Sequence, residues 1–210
     1  MGEKIETFDL KGNFLGAVDR EKFYSEIKRE FEKNNKISRK IKSVRILLMN
    51  SKGRIYLQKR SKLKNENPGL YDKTVGGHVL LNHTFDMTVV RECAEELGIP
   101  ASILTEKEFE KALSTTDLGV VGVFKKMDNE ENFMSVRVTI NSKKFVQPYM
   151  TSFYIGYYDG AIRFIDGEST GIEVFSLKEL QEEIKKNPGK FTEDIKFMIR
   201  KYGKFLRPIK

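Results

Sequence analysis

The 210-residue chain contains one cysteine, Cys93, so no internal disulfide can form. That fits a reducing, cytoplasmic setting. Long apolar runs are also missing. No stretch approaches the roughly eighteen residues a membrane helix needs, and no membrane span is expected. The first ten residues, MGEKIETFDL, place acids where a secretory leader needs an apolar core, so export by that route is not expected. Internal repeats and low-complexity linkers are absent. There is no block of basic residues either. The net charge is +8, but the lysines and arginines are interspersed with acids, as in EIKREFEKNNKISRKIKSVR. This pattern argues against a nucleic-acid-binding arm. It leaves two equal readings of the charge, a nucleotide or phosphorylated metabolite as anionic partner, or a solvated basic surface.

What is present is an ordinary globular composition, 39% hydrophobic and 32% charged. The length suits one domain over 1–210, with a strand and helix extension in 1–40, a core in 41–185, and a helix and basic tail in 186–210. Ile5–Leu10 reads as a strand before a Gly12-Asn13 turn. Arg20 to about Lys33 reads as a helix with Phe23, Ile27 and Phe31 on one side. Val44–Asn50 and Arg54–Lys59 read as a hairpin around Ser51-Lys52-Gly53. Thr84–Leu97 reads as a helix with Met87, Val90, Ala94 and Leu97 as its apolar stripe and Gly98 as its stop. Glu106–Leu113 is a second short helix. Further strands are expected at Gly119–Lys125, Ser135–Ile140, Ser152–Tyr158 and Ala161–Phe164, the last two joined by a hairpin turn at Asp159-Gly160. Lys126–Lys144 reads as an insertion. Ser176 should cap a helix at Leu177–Lys185, and Phe191–Tyr202 closes the chain. Strands mixed with helices around a central hairpin predict an α/β fold, a sheet covered on both sides. Phe124, Phe133, Phe145, Tyr149, Phe153 and Tyr154 are mostly core at strand spacing.

The chemistry concentrates in R-E-C-A-E-E. Glu92, Glu95 and Glu96 stand at i, i+3 and i+4, so one helix face carries three carboxylates, with Arg91 the only nearby cation. Their mutual repulsion would be relieved by a hard divalent ion, Mg²⁺ or Mn²⁺, bound through oxygen. A solvated acidic face is the alternative.

From Gly77 to Ile99 the spacing resembles the signature of Nudix hydrolases, G-x5-E-x7-R-E-U-x-E-E-x-G-U, with U aliphatic. Cys93 and Ile99 fill the U positions. His83 stands where the family has its first glutamate. The resemblance implies a Nudix-type α/β/α sandwich with a mixed central sheet and a loop–helix–loop that holds metal against a diphosphate. It implies Glu92, Glu95 and Glu96 as metal ligands, the carbonyl of Gly76 as a further ligand, and Arg91 as the residue that orients Glu92. The implied activity is metal-dependent pyrophosphohydrolysis of a nucleoside-diphosphate-like molecule. His83 motivates a second reading, a Nudix-fold module that binds a nucleotide or protein without turnover. A homodimer is open by analogy with relatives.

Asn50–Gly53, Gln58–Ser61, Pro68–Asp72 and Val75–His78 resemble the branch of the family that contains isopentenyl-diphosphate isomerase. Glu173–Leu180 resembles its closing strand and helix. Isomerase activity itself is not expected. Gly76 stands where that enzyme has its cysteine, Lys40–Leu48 has no histidine, and Gln147–Tyr149 holds no acid. Arg60, Lys62 and Lys64, before the glycine pair, could reach substrate phosphates, and His78 could pack or hydrogen-bond behind the loop. Asp128, Glu130, Glu131, Asp166 and Glu168 are weaker candidates for an extra ligand or base.

Overall fold

The computed structural model describes residues 2–139, 143–163 and 169–209. Its framework is a ten-stranded sheet with β3 (Arg39–Met49) at the centre. One edge of β3 pairs in parallel with β9 (Lys144–Tyr157), from Ile41 against Tyr149 to Met49 against Tyr157. Its other edge is shared by three strands in succession. Residues 39–41 pair with β1 (Lys4–Asp9), residues 43–46 with β6 (Val75–His78), and Leu48 and Met49 with β4 (Ile55–Arg60). The outer edge of β4 pairs with β10 (Ser169–Phe175), and on its inner edge β5 (Tyr71–Asp72) pairs with Gln58 and Lys59, just past the residues that pair with β3. Beyond β9 come β8 (Gly122–Val138) and β7 (Ala101–Leu104), and β2 (Phe14–Asp19) pairs with β1.

Side chains alternate along β3, as the period of two demands. Val44, Ile46 and Leu48 pack under α2 (Phe85–Leu97). Leu47 and Met49 pack on the opposite face with α3 (Glu106–Thr115), α4 (Leu177–Lys186) and α5 (Glu193–Tyr202). The N-terminal helix α1 (Arg20–Asn34) covers the start of β3 through Phe23 and Ile27 against Ile41 and Tyr149. The result is the expected α/β/α sandwich.

The helix ends follow local chemistry. Thr84 caps α2 by accepting from the Met87 amide at 3.1 Å. Gly98 closes it at φ 67°, with amides of Gly98 and Ile99 returned to Ala94 and Cys93 carbonyls. Ser176 caps α4 with Glu179 in a reciprocal capping box.

Several expectations fail in informative ways. Lys126–Lys144 is no insertion between strands. Through Val138, β8 runs on as a continuous strand paired with β9, and bulges at Lys126/Asp128 and Glu130/Phe133 shift the alternation that sequence reading relies on. Residues 161–163 form no strand, Phe164 lies outside the described residues, and Asp159 receives the Ser51 amide where a hairpin turn was expected. The apolar stripe of α2 is also misplaced. Met87 and Val90 are 49% and 42% exposed, and Ala94 is exposed too, while Val89, Cys93 and Leu97 are buried against the sheet. The six aromatics at strand spacing are all buried.

The corrected stripe can be checked by chemical denaturation. Val89→Ala should lose about 2 kcal/mol, two buried carbons plus a cavity. Val90→Ala should stay within about 0.5 kcal/mol.

Candidate active site

Among the described residues the strand β6 pairs with β3 alone, and beside it opens a cleft of about 490 Å³. One wall is acidic and comes from α2. Glu92 and Glu96 are 7% and 9% exposed, whereas the Glu95 side chain is 56% exposed. The close approach of α2 to β6 requires glycine. A Cβ on Gly77 would lie 1.8 Å from Glu92 Oε1. Arg91 ties the wall together. Its Nη2 donates to Glu92 Oε1 at 2.5 Å and to the His78 carbonyl at 3.2 Å, and its Nη1 donates to Glu95 Oε2 at 2.9 Å. Burial raises the Glu92 carboxyl above its ordinary value and Glu95 adds to this, against the pull of Arg91.

The floor is basic and comes from the sheet and its loops. Arg45, on β3, is buried. It donates from Nε to Asp194 Oδ2 at 2.8 Å and from Nη1 to Ser43 Oγ at 2.7 Å, and its guanidinium lies over the Tyr149 ring at 4.8 Å. Lys73 donates to Asp72 Oδ2 at 3.0 Å and lies 3.9 Å from Asp194. It fills the space beside Gly76, where a Cβ would meet its Cε at 2.3 Å. Arg60 lies 3.6 Å from Asp72, and Arg137 lies 3.8 Å from Glu66 and donates to Tyr149 Oη at 3.1 Å. Burial lowers the Lys73 ammonium, with Asp72 and Asp194 opposing it. Burial alone would raise Asp194, but Arg45, Lys73 and Arg137 outweigh it and hold the carboxyl below its ordinary value.

The sequence-derived candidates separate on this geometry. Glu92, Glu95, Glu96, Arg91, Gly76, Arg60, Lys64 and His78 all line the cleft, and exposed Lys62 does not. His78 is half-buried, its Nε2 lies 2.6 Å from Tyr24 Oη, and it stacks on Tyr149. Burial, with Arg20, Arg137 and Arg45 nearby, pushes it well below the ordinary histidine value and keeps it neutral. His83 is absent from the lining, and its Nδ1 is buried with no hydrogen-bond partner among the described residues. Asp128 and Glu130 pair with Lys201, and Asp128 also accepts from the Tyr202 hydroxyl; the Glu131 carbonyl accepts from Lys40. Asp166 and Glu168 lie outside the described residues. Cys93 is packed in the core, where burial raises its thiol. Sequence reading missed Arg45, Lys73 and Arg137. The one available signal was a charged residue inside the otherwise apolar run V-R-I-L-L-M.

Among the described residues, no three His, Cys, Asp or Glu side chains already converge as a metal group. Glu95 is turned to Arg91. The donors nonetheless suit a hard divalent ion. Glu92 and Glu96 present carboxylates from one buried helix face, and burial has raised Glu92.

Two outcomes follow from this packing. Gly77→Ala should destabilise the protein by about 1–3 kcal/mol, and adding Glu92→Ala should recover most of that loss in a double-mutant cycle. Asp194→Asn should cost about 3–5 kcal/mol at pH 7, because it leaves Arg45 buried without its counter-charge. The folded Asp194 titrates below its unfolded value of about 3.9. Its contribution is therefore full above that pH and is lost as pH falls through the folded value, so the gap between mutant and wild type should narrow in acid.

The NUDIX domain model matches residues 39–195. A prenyl-diphosphate phosphatase of Methanosarcina mazei is 26% identical over 201 residues, covering 95% of each chain. An uncharacterised Nudix hydrolase of Pseudomonas aeruginosa is 39% identical over 61 residues, 29% of this chain and 36% of that protein. The crystal structure of DR0079 from Deinococcus radiodurans superposes with a TM-score of 0.61 at 16% identity, covering 94% of this chain and 98% of the other. With the loop–helix signature folded against the glycine strand and the family model spanning most of its length, the chain belongs to the Nudix family of hydrolases.

Proposed function

We propose that the cleft hydrolyses a diphosphate linkage in a small phosphorylated molecule, assisted by Mg²⁺ or Mn²⁺. One observation carries this reading: an acidic wall and a basic floor face each other across β6 in the same cleft. Glu92, Glu95 and Glu96, with the carbonyl of Gly76, would hold the metal. A bound divalent ion supplies charge neutralisation at phosphate oxygens and a lowered water pKa. Arg91 orients Glu92 through its 2.5 Å contact and must give up Glu95 for that carboxylate to bind metal. Lys73, beside Gly76, offers positive charge to the diphosphate from below, and Arg60 does so from the loop side. The name of the Methanosarcina relative supports diphosphate chemistry. The likeness to the isomerase branch is part of the same reading, with Gly76 in place of the cysteine. On this reading the chain is one domain, since β1 of the extension pairs with β3 of the core, and a cytoplasmic setting rests on its single cysteine alone.

His83 does not line the cleft, which favours turnover over a binding-only module. Phosphate or pyrophosphate release from a panel of diphosphate compounds, with Mg²⁺ and Mn²⁺, tests the choice. Glu92→Gln and Glu96→Gln should each lose about 100-fold or more in rate, while His83→Glu should change it by less than about tenfold. Glu96→Gln without metal should be as stable as wild type or slightly more so, because like-charge repulsion is relieved. Saturable ligand binding with no product from any compound would favour the binding module.

A further inference from the structure

The lining of the cleft also bears on what the diphosphate is attached to, an inference that rests on the hydrolase reading above. Among the described residues, eight lysines and arginines and five glutamates line it, an excess of three positive charges. The lining has no aliphatic side chain, and its one aromatic besides His78 is Tyr24. The Tyr24 ring is already engaged. It meets Phe23 and His78 edge-on at 5.5 Å, and its hydroxyl is held by His78. A hydrocarbon chain would gain nothing like the ~0.8 kcal/mol per methylene that an apolar wall provides. A nucleobase would find no open ring to stack on.

The cations, in contrast, extend well past the acidic wall. Lys73 stands beside Gly76, next to that wall. Arg137, on β8, lies 3.8 Å from Glu66, which lies 3.6 Å from Lys28 of α1. Arg45 is only 2% exposed, and its Nη2 has no hydrogen-bond partner among the described residues; the same holds for Nε of Arg137. Buried donors left unmatched in a cationic cleft call for an anionic acceptor. We propose that the substrate is a small hydrophilic molecule, a sugar or polyol, bearing at least one further phosphate besides the diphosphate whose linkage is hydrolysed. The further phosphate sits over Arg45 and Arg137, with Lys28 and Lys64 at the rim.

The full-length chain should be assayed with Mg²⁺ on 5-phosphoribosyl 1-diphosphate, isopentenyl diphosphate and ADP-ribose. These share a diphosphate and differ in a second phosphate, an apolar group or a base. The expected result is a kcat/KM at least about 30-fold higher for the phosphorylated sugar than for either of the others. In the Lys28→Gln/Lys64→Gln protein that preference should fall about tenfold, through KM, as expected from lost charge-assisted contacts. Binding of the same sugar, measured calorimetrically with Ca²⁺ in place of Mg²⁺, should weaken in parallel and weaken further with added salt. Turnover of isopentenyl diphosphate or ADP-ribose at an equal or higher kcat/KM overturns this inference and leaves diphosphate hydrolysis standing. Lysine-dependent binding of the sugar with no hydrolysis product from any compound, by chromatography, overturns hydrolysis and keeps the two-phosphate site. Neither binding nor turnover of the sugar overturns the site.

Discussion

The cleft depends on two buried carboxylates. Arg45 and Lys73 lie in the interior beneath the candidate site, and isolated charges there would each cost several kcal/mol. Asp194, from the start of α5, and Asp72, from β5, make that burial tolerable. Their remaining oxygens are not wasted. Ser135 donates to Asp194 at 2.7 Å and Thr192 to Asp72 at 2.7 Å. The helix that closes one face of the sandwich is therefore pinned, at its first turn, to the strand under the cleft. Packing of α5 and the electrostatics of the floor are one problem with one solution.

The acids of α2 and the cations of the floor would neutralise one another if they met directly. They are kept apart by β6, whose Gly76 and Gly77 allow α2 to press Glu92 against one side and Lys73 to fill the other. Only a strand nearly free of side chains can let both charged groups approach so closely. Arg91 and His78 complete the partition. The arginine supplies local countercharge to Glu92 and Glu95, and the neutral imidazole occupies the end of the strand without adding to either field.

Much of the acidic wall was legible in sequence, because a helix, its caps and a tight glycine turn are local events. Glu92, Glu95, Glu96 and Arg91 fall within six residues, so their spacing alone places them together. The apolar stripe of α2 was misjudged for a physical reason. Residues 87, 90, 94 and 97 and residues 85, 89, 93 and 97 both satisfy helical spacing, and the cleft, which draws Glu92 and Glu96 inward, decides between them. The basic floor could not be read. Arg45 pairs with a residue 149 positions away, and Arg137 lies in a stretch whose alternation is disturbed by two bulges. Charge in such places looks like surface until the partner strand and helix are known.

That separation along the chain also sets an order of construction. As the protein is made, Val44, Ile46 and Leu48 can pack under α2 soon after residue 97 has appeared, because both halves of that contact are early. The opposite face of β3 must wait. β3 has no parallel neighbour until β9 is finished at Tyr157, and Arg45 has no Asp194 until nearly the whole chain has been synthesised. At about 5–20 residues per second, that delay is on the order of 10 s. The acidic half of the site can thus exist before the basic half, and a nascent chain carries Arg45 hydrated and the floor unbuilt until its last fifty residues or so arrive and close it.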